Sequence, residues 1–223
     1  MIIASILDQA KLTEAQQQLQ RMRWVDGRQT AGSIAANVKD NSQADLSTRD
    51  GANLARFLMT AIGSNPDFQA AALPKKVSTL RISKTPIGGT YGRHFDNAIM
   101  SSREGFMKTD LSFTLFLSQP DTYTGGALSI DHDHGSADYR LPAGDLVLYP
   151  SGALHEVTPV ESGERIVCVG WIQSMVPDPE QRRILYDMKK LGDQIKKERG
   201  QEAPEVLSAG KIYTDLLRHW AAV

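Results

Sequence analysis

The chain has 223 residues, of which 41% are hydrophobic, and its 25 lysines and arginines against 26 aspartates and glutamates leave a formal net charge of −1. A chain of this size and composition can bury the core of one large domain. The balanced charge lacks the basic surplus that nucleic-acid binding or attraction to an anionic membrane requires, so it argues against both kinds of partner.

Targeting segments and disulfides are not indicated either. The start, "MIIASILDQAKLTEAQQ", has neither the basic region nor the small-residue cleavage site of a signal peptide. No apolar run approaches the roughly 18 residues that cross a bilayer. The single cysteine, Cys168, excludes an internal disulfide framework and is typical of a small buried strand residue. We therefore predict a soluble cytoplasmic protein.

Residues 1–77 are predicted to form a mainly helical segment that packs on the core. The stretch "LTEAQQQLQRMRW" carries Thr13 and, three residues later, Gln16, which is a capping-box pattern. The stretch "STRDGANLARFLMTAIGS" places five apolar residues on one helical face: Leu54, Phe57, Leu58, Ala61 and Ile62. Between them, "WVDGRQTAGSIAANVKDNSQ" is polar and rich in turn residues, which predicts an irregular or short-stranded segment.

Residues 78–174 consist of short β-like segments separated by turns rich in Gly, Pro and Asp. Examples of the segments are "TDLSFTLFLS", "GDLVLYP" and "ERIVCVGWI", and examples of the turns are "TPIGG", "PAG" and "ESG". Strands that are interrupted this closely predict an antiparallel barrel or sandwich. We therefore expect an α+β fold with a jelly-roll core, flanked by N-terminal and C-terminal helices.

Residues 175–223 are predicted to be a C-terminal helical extension. Asp178 and Pro179 suit the cap and the first turn of a helix. Apolar residues recur at helical spacing in two stretches: Ile184, Leu185, Met188, Leu191 and Ile195, then Leu216, Leu217 and Trp220. These faces fit either packing on the barrel or a homodimer interface.

Four of the five histidines lie in the β region, which predicts a metal site there. In "TYGRHFDNA", His94 and Asp96 are two residues apart, so in a strand they share one face and can reach one ion. With His155 they supply two imidazoles and one carboxylate. This set leaves coordination positions open and suits ferrous iron that binds a co-substrate and dioxygen. The fifth histidine, His219, is expected at the surface or in helix packing.

A second possible ligand set combines His132 and His134 with His155. The stretches "GALSIDHDHGSAD" and "GDLVLYPSGALH" resemble the two metal-binding motifs of cupins. The first stretch runs almost directly into the second, with no room for intervening strands, so "DHDHGSAD" is better explained as a polar hairpin loop. A cupin-like metalloenzyme is kept as an alternative.

Arg165 favours the first ligand set. If "HEVTPVESGERIVCVGW" forms a hairpin that turns at "ESG", then His155 and Arg165 point to the same face. Their separation along the strand is roughly 13 Å, which suits a small dicarboxylate held between the metal and the arginine. A guanidinium group binds a carboxylate through two parallel hydrogen bonds.

These residues resemble the pattern of the Fe(II)/2-oxoglutarate-dependent dioxygenases: H-x-D, a distal histidine, and a basic residue ten positions after it. The chain is particularly similar to the bacterial PKHD-type hydroxylases, the PiuC/YbiX group related to prolyl 4-hydroxylases. The similarity runs through most of the chain and includes "WVDGR", "KTDLSFTLFLS", "LPAGDLVLYPSGALHEVTPV" and "GERIVCVGWIQSM".

The resemblance implies a double-stranded β-helix in which His94, Asp96 and His155 bind Fe(II). It implies 2-oxoglutarate as co-substrate, with its distal carboxylate held by Arg165, and ascorbate as a further cofactor. Tyr91 is implied as a second partner of that carboxylate. Strict strand alternation places Tyr91 on the face opposite His94, so this role requires a bulge in the strand.

Two other side chains are alternatives to Tyr91 for the distal carboxylate, namely Ser112 and Thr114 of "LSFTLF". The segment "MSSREGFMK" is long enough to form a lid or a substrate loop, and an ordinary surface loop fits it equally well.

The implied reaction is hydroxylation of a substrate C–H bond by dioxygen, coupled to conversion of 2-oxoglutarate into succinate and carbon dioxide. Peptidyl proline, a free amino acid and a siderophore-like metabolite are all compatible substrates, because fold and cofactor do not determine what is hydroxylated. Outside catalysis, the alternative is a jelly-roll sensor that holds metal or 2-oxoglutarate without turnover.

Overall fold

The computed structural model describes residues 1–27, 40–102, 105–132 and 135–223. The helices in these ranges are α1 (Gln9–Leu19), α2 (Arg49–Ser64), α3 (Pro66–Ala72), α4 (Pro179–Arg199) and α5 (Pro204–Trp220). The strands are β1 (Ile2–Ile3), β2 (Trp24–Asp26), β3 (Ser42–Ala44), β4 (Pro74–Val77), β5 (Arg81–Thr85), β6 (Tyr91–His94), β7 (Ile99–Ser102), β8 (Gly105–Lys108), β9 (Leu111–Phe116), β10 (Tyr123–Gly125), β11 (Leu128–His132), β12 (Gly135–Tyr139), β13 (Leu146–Pro150), β14 (His155–Val157), β15 (Val160–Gly163) and β16 (Arg165–Ser174).

Two antiparallel sheets form the core. The larger has the order β1-β13-β9-β16-β5-β3-β2, with β4 also paired to β16, and the smaller has the order β12-β11-β14-β6. Apolar side chains from both sheets pack in one buried cluster, which contains Phe116, Leu128, Ile130, Val147, Tyr149, Val157 and Val167. The two sheets therefore enclose a common interior, and the predicted α+β fold with a jelly-roll core is confirmed.

The central strands of the larger sheet are buried on both faces. All six residues of β9, "LSFTLF", are buried. One face of this strand looks into the space between the sheets, and Leu111, Phe113 and Leu115 on the other face join the cluster formed by helices α1 to α3. The apolar and polar alternation of this strand therefore separates two buried faces, and Ser112 and Thr114 line the cavity between the sheets instead of facing solvent.

The N-terminal residues supply strands as well as helices to the core. Strand β1 pairs with β13, and β3 joins β5 and carries β2 at the edge of the larger sheet. The predicted short-stranded character of "WVDGRQTAGSIAANVKDNSQ" is confirmed at its two ends, while residues 28–39 lie outside the described residues. The edge strand β2 has only three residues, which limits unwanted pairing with another chain.

The predicted capping box at Thr13 is wrong. Helix α1 begins earlier, with Asp8 as its N-cap, and the Asp8 side chain accepts a hydrogen bond from the Lys11 N–H at 2.9 Å. Thr13 lies inside the helix, where its hydroxyl donates to the carbonyl of Gln9. The earlier start has a physical reason. Leu12 is the first buried residue of the helix, and a start at Asp8 makes Leu12 helical, whereas a start at Thr13 would leave it outside the helix.

Two threonine-to-alanine substitutions test this cap assignment. Thr48 is the N-cap of α2 and accepts a hydrogen bond from the Gly51 N–H at 3.0 Å, so Thr48→Ala is expected to lower the free energy of unfolding by about 1 kcal/mol. Thr13→Ala makes the same chemical change in a helix interior and is expected to be neutral or slightly stabilising. Urea unfolding followed by circular dichroism measures both, and an equal loss for Thr13→Ala would contradict the cap at Asp8.

The C-terminal extension packs on the core as two antiparallel helices. Asp178 caps α4 by accepting from the Gln181 N–H at 2.8 Å, and Pro179 opens its first turn, as predicted. Leu185 of α4 is fully buried, in a cluster that also takes in Tyr213, Leu216, Leu217 and Trp220 of α5. No helix of the described residues is both long and apolar enough to cross a membrane.

The segment "MSSREGFMK" belongs to a two-stranded hairpin rather than a loop. Strands β7 and β8 pair with each other from Ile99 opposite Lys108 to Ser102 opposite Gly105, and residues 103–104 lie outside the described residues. The hairpin begins five residues after His94. Met100 on β7 lines the same cavity as that histidine, so one face of the hairpin forms part of the cavity wall.

Candidate metal centre and its cavity

The smaller sheet brings together the three residues that the sequence singled out. His94 ends β6 and His155 begins β14, and the two are direct partners across this strand pair. Asp96 follows two residues after His94, and its N–H donates to the carbonyl of Ser151. One ligand atom from each residue lies within 4.8 Å of the other two, and no other such group occurs among the described residues.

Backbone carbonyls orient both imidazoles for metal binding. The Nδ1 of His94 lies 2.7 Å from the carbonyl of Gly92, and the Nδ1 of His155 lies 2.9 Å from the carbonyl of Ala153. Because a carbonyl only accepts, each Nδ1 carries the proton and each Nε2 presents a lone pair. Metal-binding histidines are typically fixed in this way by a second partner.

A chain of hydroxyls holds the carboxylate of Asp96. Ser112 on β9 donates to Oδ2 of Asp96 at 2.5 Å, and Ser151 lies 2.8 Å from the Ser112 hydroxyl. The same Oδ2 atom lies 3.9 Å from Nε2 of His155. Ser112 thus supports the candidate metal-binding carboxylate of Asp96. The sequence had offered Ser112 as an alternative partner for the distal carboxylate of 2-oxoglutarate, but its hydroxyl is engaged by Asp96.

A bulge in β6 places Tyr91 on the same face as His94. Val157 lies opposite Tyr91 and His155 opposite His94, so two steps along β14 match three steps along β6. The rings of Tyr91 and His94 are stacked, with centroids 3.8 Å apart. Burial, and then the charge of Asp96, raise the pKa of Tyr91 to about 12, so its phenol stays protonated and can donate a hydrogen bond. Its assignment to the distal carboxylate stays a prediction.

Arg165 lines the same cavity, about 340 Å³ in volume, as the three candidate ligands. It is only 3% exposed, and burial lowers the pKa of its guanidinium. Its Nε has no hydrogen-bond partner, and no carboxylate forms an ion pair with it, among the described residues. Gly126 makes room for this side chain, since a Cβ there would lie 3.1 Å from Cδ of Arg165. A buried cation without an acidic partner fits an anionic ligand.

The hairpin that was predicted to align His155 with Arg165 does not form. Strand β14 pairs with β11 and β6, β15 pairs with β10, and β16 pairs with β5 and β9. The ten-residue strand β16 finds two long partners in the larger sheet, which buries it more completely than the three-residue β14 would. His155 and Arg165 still face one cavity, because they project inward from opposite sheets.

The alternative histidine set is not assembled. The described residues of "DHDHGSAD" end β11 and begin β12, which pair as far as His132 opposite Gly135, as the hairpin interpretation predicts, and His132 is exposed. Nε2 of His132 contacts the hydroxyl of Tyr139, and His134 lies outside the described residues. Within the described part of the chain, His155 is grouped with His94 and Asp96 and not with His132.

Several cavity residues were missed by the sequence reasoning. Tyr149 on β13 lies with its ring 5.1 Å from that of His155, and burial raises the pKa of its hydroxyl, which contacts Thr114. Arg81 on β5 and Trp171 on β16 also line the cavity. The only signal in the sequence was strand alternation, and alternation shows which residues share a face but not which face turns inward.

The assembled groups fit a ferrous ion with a bidentate acid beside it. One ligand atom from each of the two histidines and the aspartate lies within 4.8 Å of the other two, and a set of three protein ligands would leave further coordination positions of an ion for exogenous ligands. Arg165 at the wall of the same cavity can hold the far end of a dicarboxylate. The fit rests on the donor set and on the buried guanidinium, both of which belong to this chain.

Comparison with known proteins agrees with this geometry. The family model described as the 2OG-Fe(II) oxygenase superfamily matches residues 80–173. The chain is 44% identical over 223 residues, covering 100% of both chains, to a PKHD-type hydroxylase of Hyphomonas neptunium. It is 41% identical over 222 residues to the PKHD-type hydroxylase YbiX of Escherichia coli, covering 99% of this chain and 98% of the relative.

Among solved structures, the fold is similar to that of a prolyl hydroxylase from Trichoplax adhaerens, crystallised with a hypoxia inducible factor peptide. The TM-score is 0.58 at 18% identity, covering 83% of this chain and 86% of the other. At this identity the similarity supports the double-stranded architecture, and the peptide in that crystal describes the Trichoplax protein alone.

Proposed function

Because the chain belongs to the PKHD-type hydroxylases of the 2OG-Fe(II) oxygenase superfamily, an oxidoreductase family that uses Fe(II) and 2-oxoglutarate, we propose that it hydroxylates a small-molecule or peptide substrate in the cavity between its two sheets. In the proposed reaction one oxygen atom of dioxygen enters a substrate C–H bond. The other enters succinate, as 2-oxoglutarate loses carbon dioxide and supplies the two electrons that balance the step.

One observation carries the proposal. A buried arginine without an acidic partner among the described residues lines the same cavity as two histidines and an aspartate whose ligand atoms converge. A sensor that binds metal alone, or a cupin-like enzyme independent of 2-oxoglutarate, needs the three ligands but has no use for a desolvated guanidinium beside them. A dicarboxylate co-substrate needs both features at once.

The candidate residues have distinct roles in the proposed reaction. His94, Asp96 and His155 hold Fe(II), which when bound activates dioxygen and polarises the keto acid. Arg165 neutralises the distal carboxylate of 2-oxoglutarate. Tyr149 stays protonated because burial raises the pKa of its hydroxyl, so it can donate a neutral hydrogen bond to the same carboxylate.

The protein also controls water at this site. Leu128, Val157 and Val167 line the cavity and belong to one apolar cluster, which also contains Phe116. Exclusion of water strengthens the ion pair at Arg165 and protects reactive species from side reactions. The chain itself would thus bind the reactants, orient them and exclude water from the site.

The proposal is tested by aerobic incubation of the purified protein with Fe(II), ascorbate and isotopically labelled 2-oxoglutarate. We expect labelled succinate to form at a slow basal rate without substrate, and the rate to rise when a screened metabolite or peptide is added. The signal should disappear when Fe(II) is replaced by Mn(II) or when dioxygen is removed. Binding of 2-oxoglutarate with no succinate in any condition would instead indicate the sensor.

A further inference from the structure

The carboxylate of Asp96 lies beyond the strand that carries His94. Strand β6 ends at His94, so Asp96 is outside the strand pairing that places His94 opposite His155. Its main chain is anchored instead by its N–H, which donates to the carbonyl of Ser151 at 3.1 Å. The last side-chain torsion of an aspartate is broad, so the orientation of the carboxylate needs a restraint of its own.

Two serines of the larger sheet and its adjoining turn supply that restraint. The hydroxyl of Ser112, on β9, donates to Oδ2 of Asp96 at 2.5 Å, and the hydroxyl of Ser151, just after β13, lies 2.8 Å from the Ser112 hydroxyl. An ionised carboxylate only accepts, so the single proton of the Ser112 hydroxyl is used in the bond to Asp96. Ser151 is therefore the donor in the second bond, and the hydrogen bonds run from Ser151 to Ser112 to Asp96.

The position of Ser112 makes it a rigid donor. It lies directly opposite Tyr149 of β13 and Trp171 of β16, so β9 is held on both edges at this residue. Ser112 and Ser151 are each 2% exposed, so bulk water does not compete for their bonds. Consecutive hydrogen bonds in such an environment polarise and strengthen one another. A donor on a central strand is also placed more precisely than one on a loop.

The oxygen that Ser112 holds is the one next to a candidate metal ligand. Oδ2 of Asp96 lies 3.9 Å from Nε2 of His155. A carboxylate oxygen has two lone pairs, so a bond from Ser112 leaves the second lone pair for an ion. Because the carboxylate is oriented before an ion arrives, it loses little rotational freedom on binding, and the restraint should raise metal affinity.

We propose that Ser112 and Ser151, named here the serine pair, are positioning residues that orient Asp96 for metal binding, and that the Ser151 hydroxyl acts through Ser112. The carbonyl of Ser151 holds the main chain of Asp96, and its hydroxyl reaches the carboxylate by way of Ser112. The inference rests on the proposed function, since it takes His94, Asp96 and His155 as the metal ligands.

Isothermal titration with Mn(II) of three single variants tests the serine pair. Ser112→Ala is expected to bind Mn(II) about 10- to 100-fold more weakly, the usual effect of losing an outer partner of a metal ligand. Ser112→Thr keeps the hydroxyl and should retain most of the affinity. Ser151→Ala keeps the carbonyl that anchors Asp96 and loses the hydroxyl alone, so we expect a smaller loss of about two- to tenfold, the effect of one neutral hydrogen bond.

The double variant shows whether Ser151 acts through Ser112. Once residue 112 is alanine, the Ser151 hydroxyl has no path to the carboxylate. Ser112→Ala combined with Ser151→Ala should therefore bind Mn(II) as tightly as Ser112→Ala alone. Independent defects would instead multiply their losses, and that result would overturn the coupling between the two serines.

Ser174→Ala is the matched control. Ser174 on β16 is 1% exposed, and its hydroxyl donates to the carbonyl of Ala72 at 2.8 Å, but it does not line the cavity. The variant loses a buried serine hydroxyl of the same sheet, so it should have a lower melting temperature and unchanged Mn(II) affinity. Unaltered Mn(II) affinity in Ser112→Ala, or an equal loss in Ser174→Ala, would overturn the role of the serine pair.

Failure of the serine pair differs from failure of the proposed function. If the unmodified chain and every variant bind Mn(II) equally well, the serine pair has no positioning role and the proposed function stands. An unmodified chain that binds no Mn(II) contradicts both, whereas one that binds Mn(II) but forms no succinate contradicts the proposed function alone. Should Ser112→Ala fail to fold, Ser151→Ala and Ser174→Ala still decide, because Mn(II) binding should weaken in the first of these and not in the second.

Discussion

Asp96→Asn is expected to abolish iron-dependent turnover and to reduce metal affinity by more than about 100-fold, since loss of an outer partner of a metal ligand alone costs about 10- to 100-fold. The amide has the shape of the carboxylate, so it can still accept from Ser112, which now holds Oδ2 at 2.5 Å. The fold should therefore survive, and the variant should differ from the unmodified protein in its charge and ligand atom alone. Isothermal titration with Mn(II) and the succinate assay measure the two effects.

Asp131→Asn provides the matched control for that experiment. Asp131 is another aspartate of the small sheet, but it lies at the surface, where it pairs with Arg93 and accepts from Ser136. Exposed ion pairs contribute little, so metal affinity and turnover should stay within about twofold of the unmodified protein. Intact metal affinity in Asp96→Asn would remove Asp96 from the ligand set and with it the proposed chemistry.

Much of this site could be predicted from local sequence. The spacing of two residues placed His94 and Asp96 together without a fold, although the strand geometry assumed for it is wrong in part, because β6 ends at His94 and Asp96 lies beyond it. The third residue, His155, could be added because few histidines compete for the role. The strand pattern indicated the jelly roll and the position after His155 indicated Arg165, resemblance to a family implied the same two features, and the relatives confirm that membership.

What could not be predicted depends on pairing between distant strands. The hairpin argument for Arg165 failed because β16 pairs with β5, about eighty residues earlier, instead of with its neighbour along the chain. The bulge that turns Tyr91 toward His94 is visible only in the register between β6 and β14. Arg81 and Tyr149 reach the cavity through the pairing of the larger sheet, which no local pattern encodes.

The cap of α1 shows a different kind of failure. Thr13 and Gln16 satisfy a capping pattern, but Asp8 is an equally good cap and lies one turn before the first buried residue of the helix. Packing of Leu12, Ala15 and Leu19 decided between the two starts. Local sequence preference therefore indicates several possible starts for the helix, and the burial of its apolar residues determines which of them is used.

Arg165→Met is expected to separate the stability of the protein from its function. Without 2-oxoglutarate, Arg165 is a buried cation whose Nε has no hydrogen-bond partner among the described residues. The effective penalty for burying such a charge is several kcal/mol, whereas its contact with the Phe116 ring, 5.6 Å from the guanidinium carbon, returns about 0.5–2 kcal/mol. The desolvation penalty exceeds the stabilisation from the ring contact, so methionine, which keeps the apolar stem, should raise the melting temperature of the ligand-free protein.

Affinity for 2-oxoglutarate should change in the opposite direction. Loss of one partner from a buried charge pair costs about 2–5 kcal/mol, which corresponds to about 30-fold to more than 1,000-fold weaker binding. Mn(II) affinity without 2-oxoglutarate should be unchanged, because Arg165 contributes no metal ligand. Arg165→Lys keeps the charge but loses the pair of parallel hydrogen bonds, so its affinity for 2-oxoglutarate should lie between those of the unmodified protein and Arg165→Met. The opposite result would be an Arg165→Met variant that is less stable than the unmodified protein without ligand and binds 2-oxoglutarate equally well. It would show that Arg165 is a structural residue and does not bind the distal carboxylate.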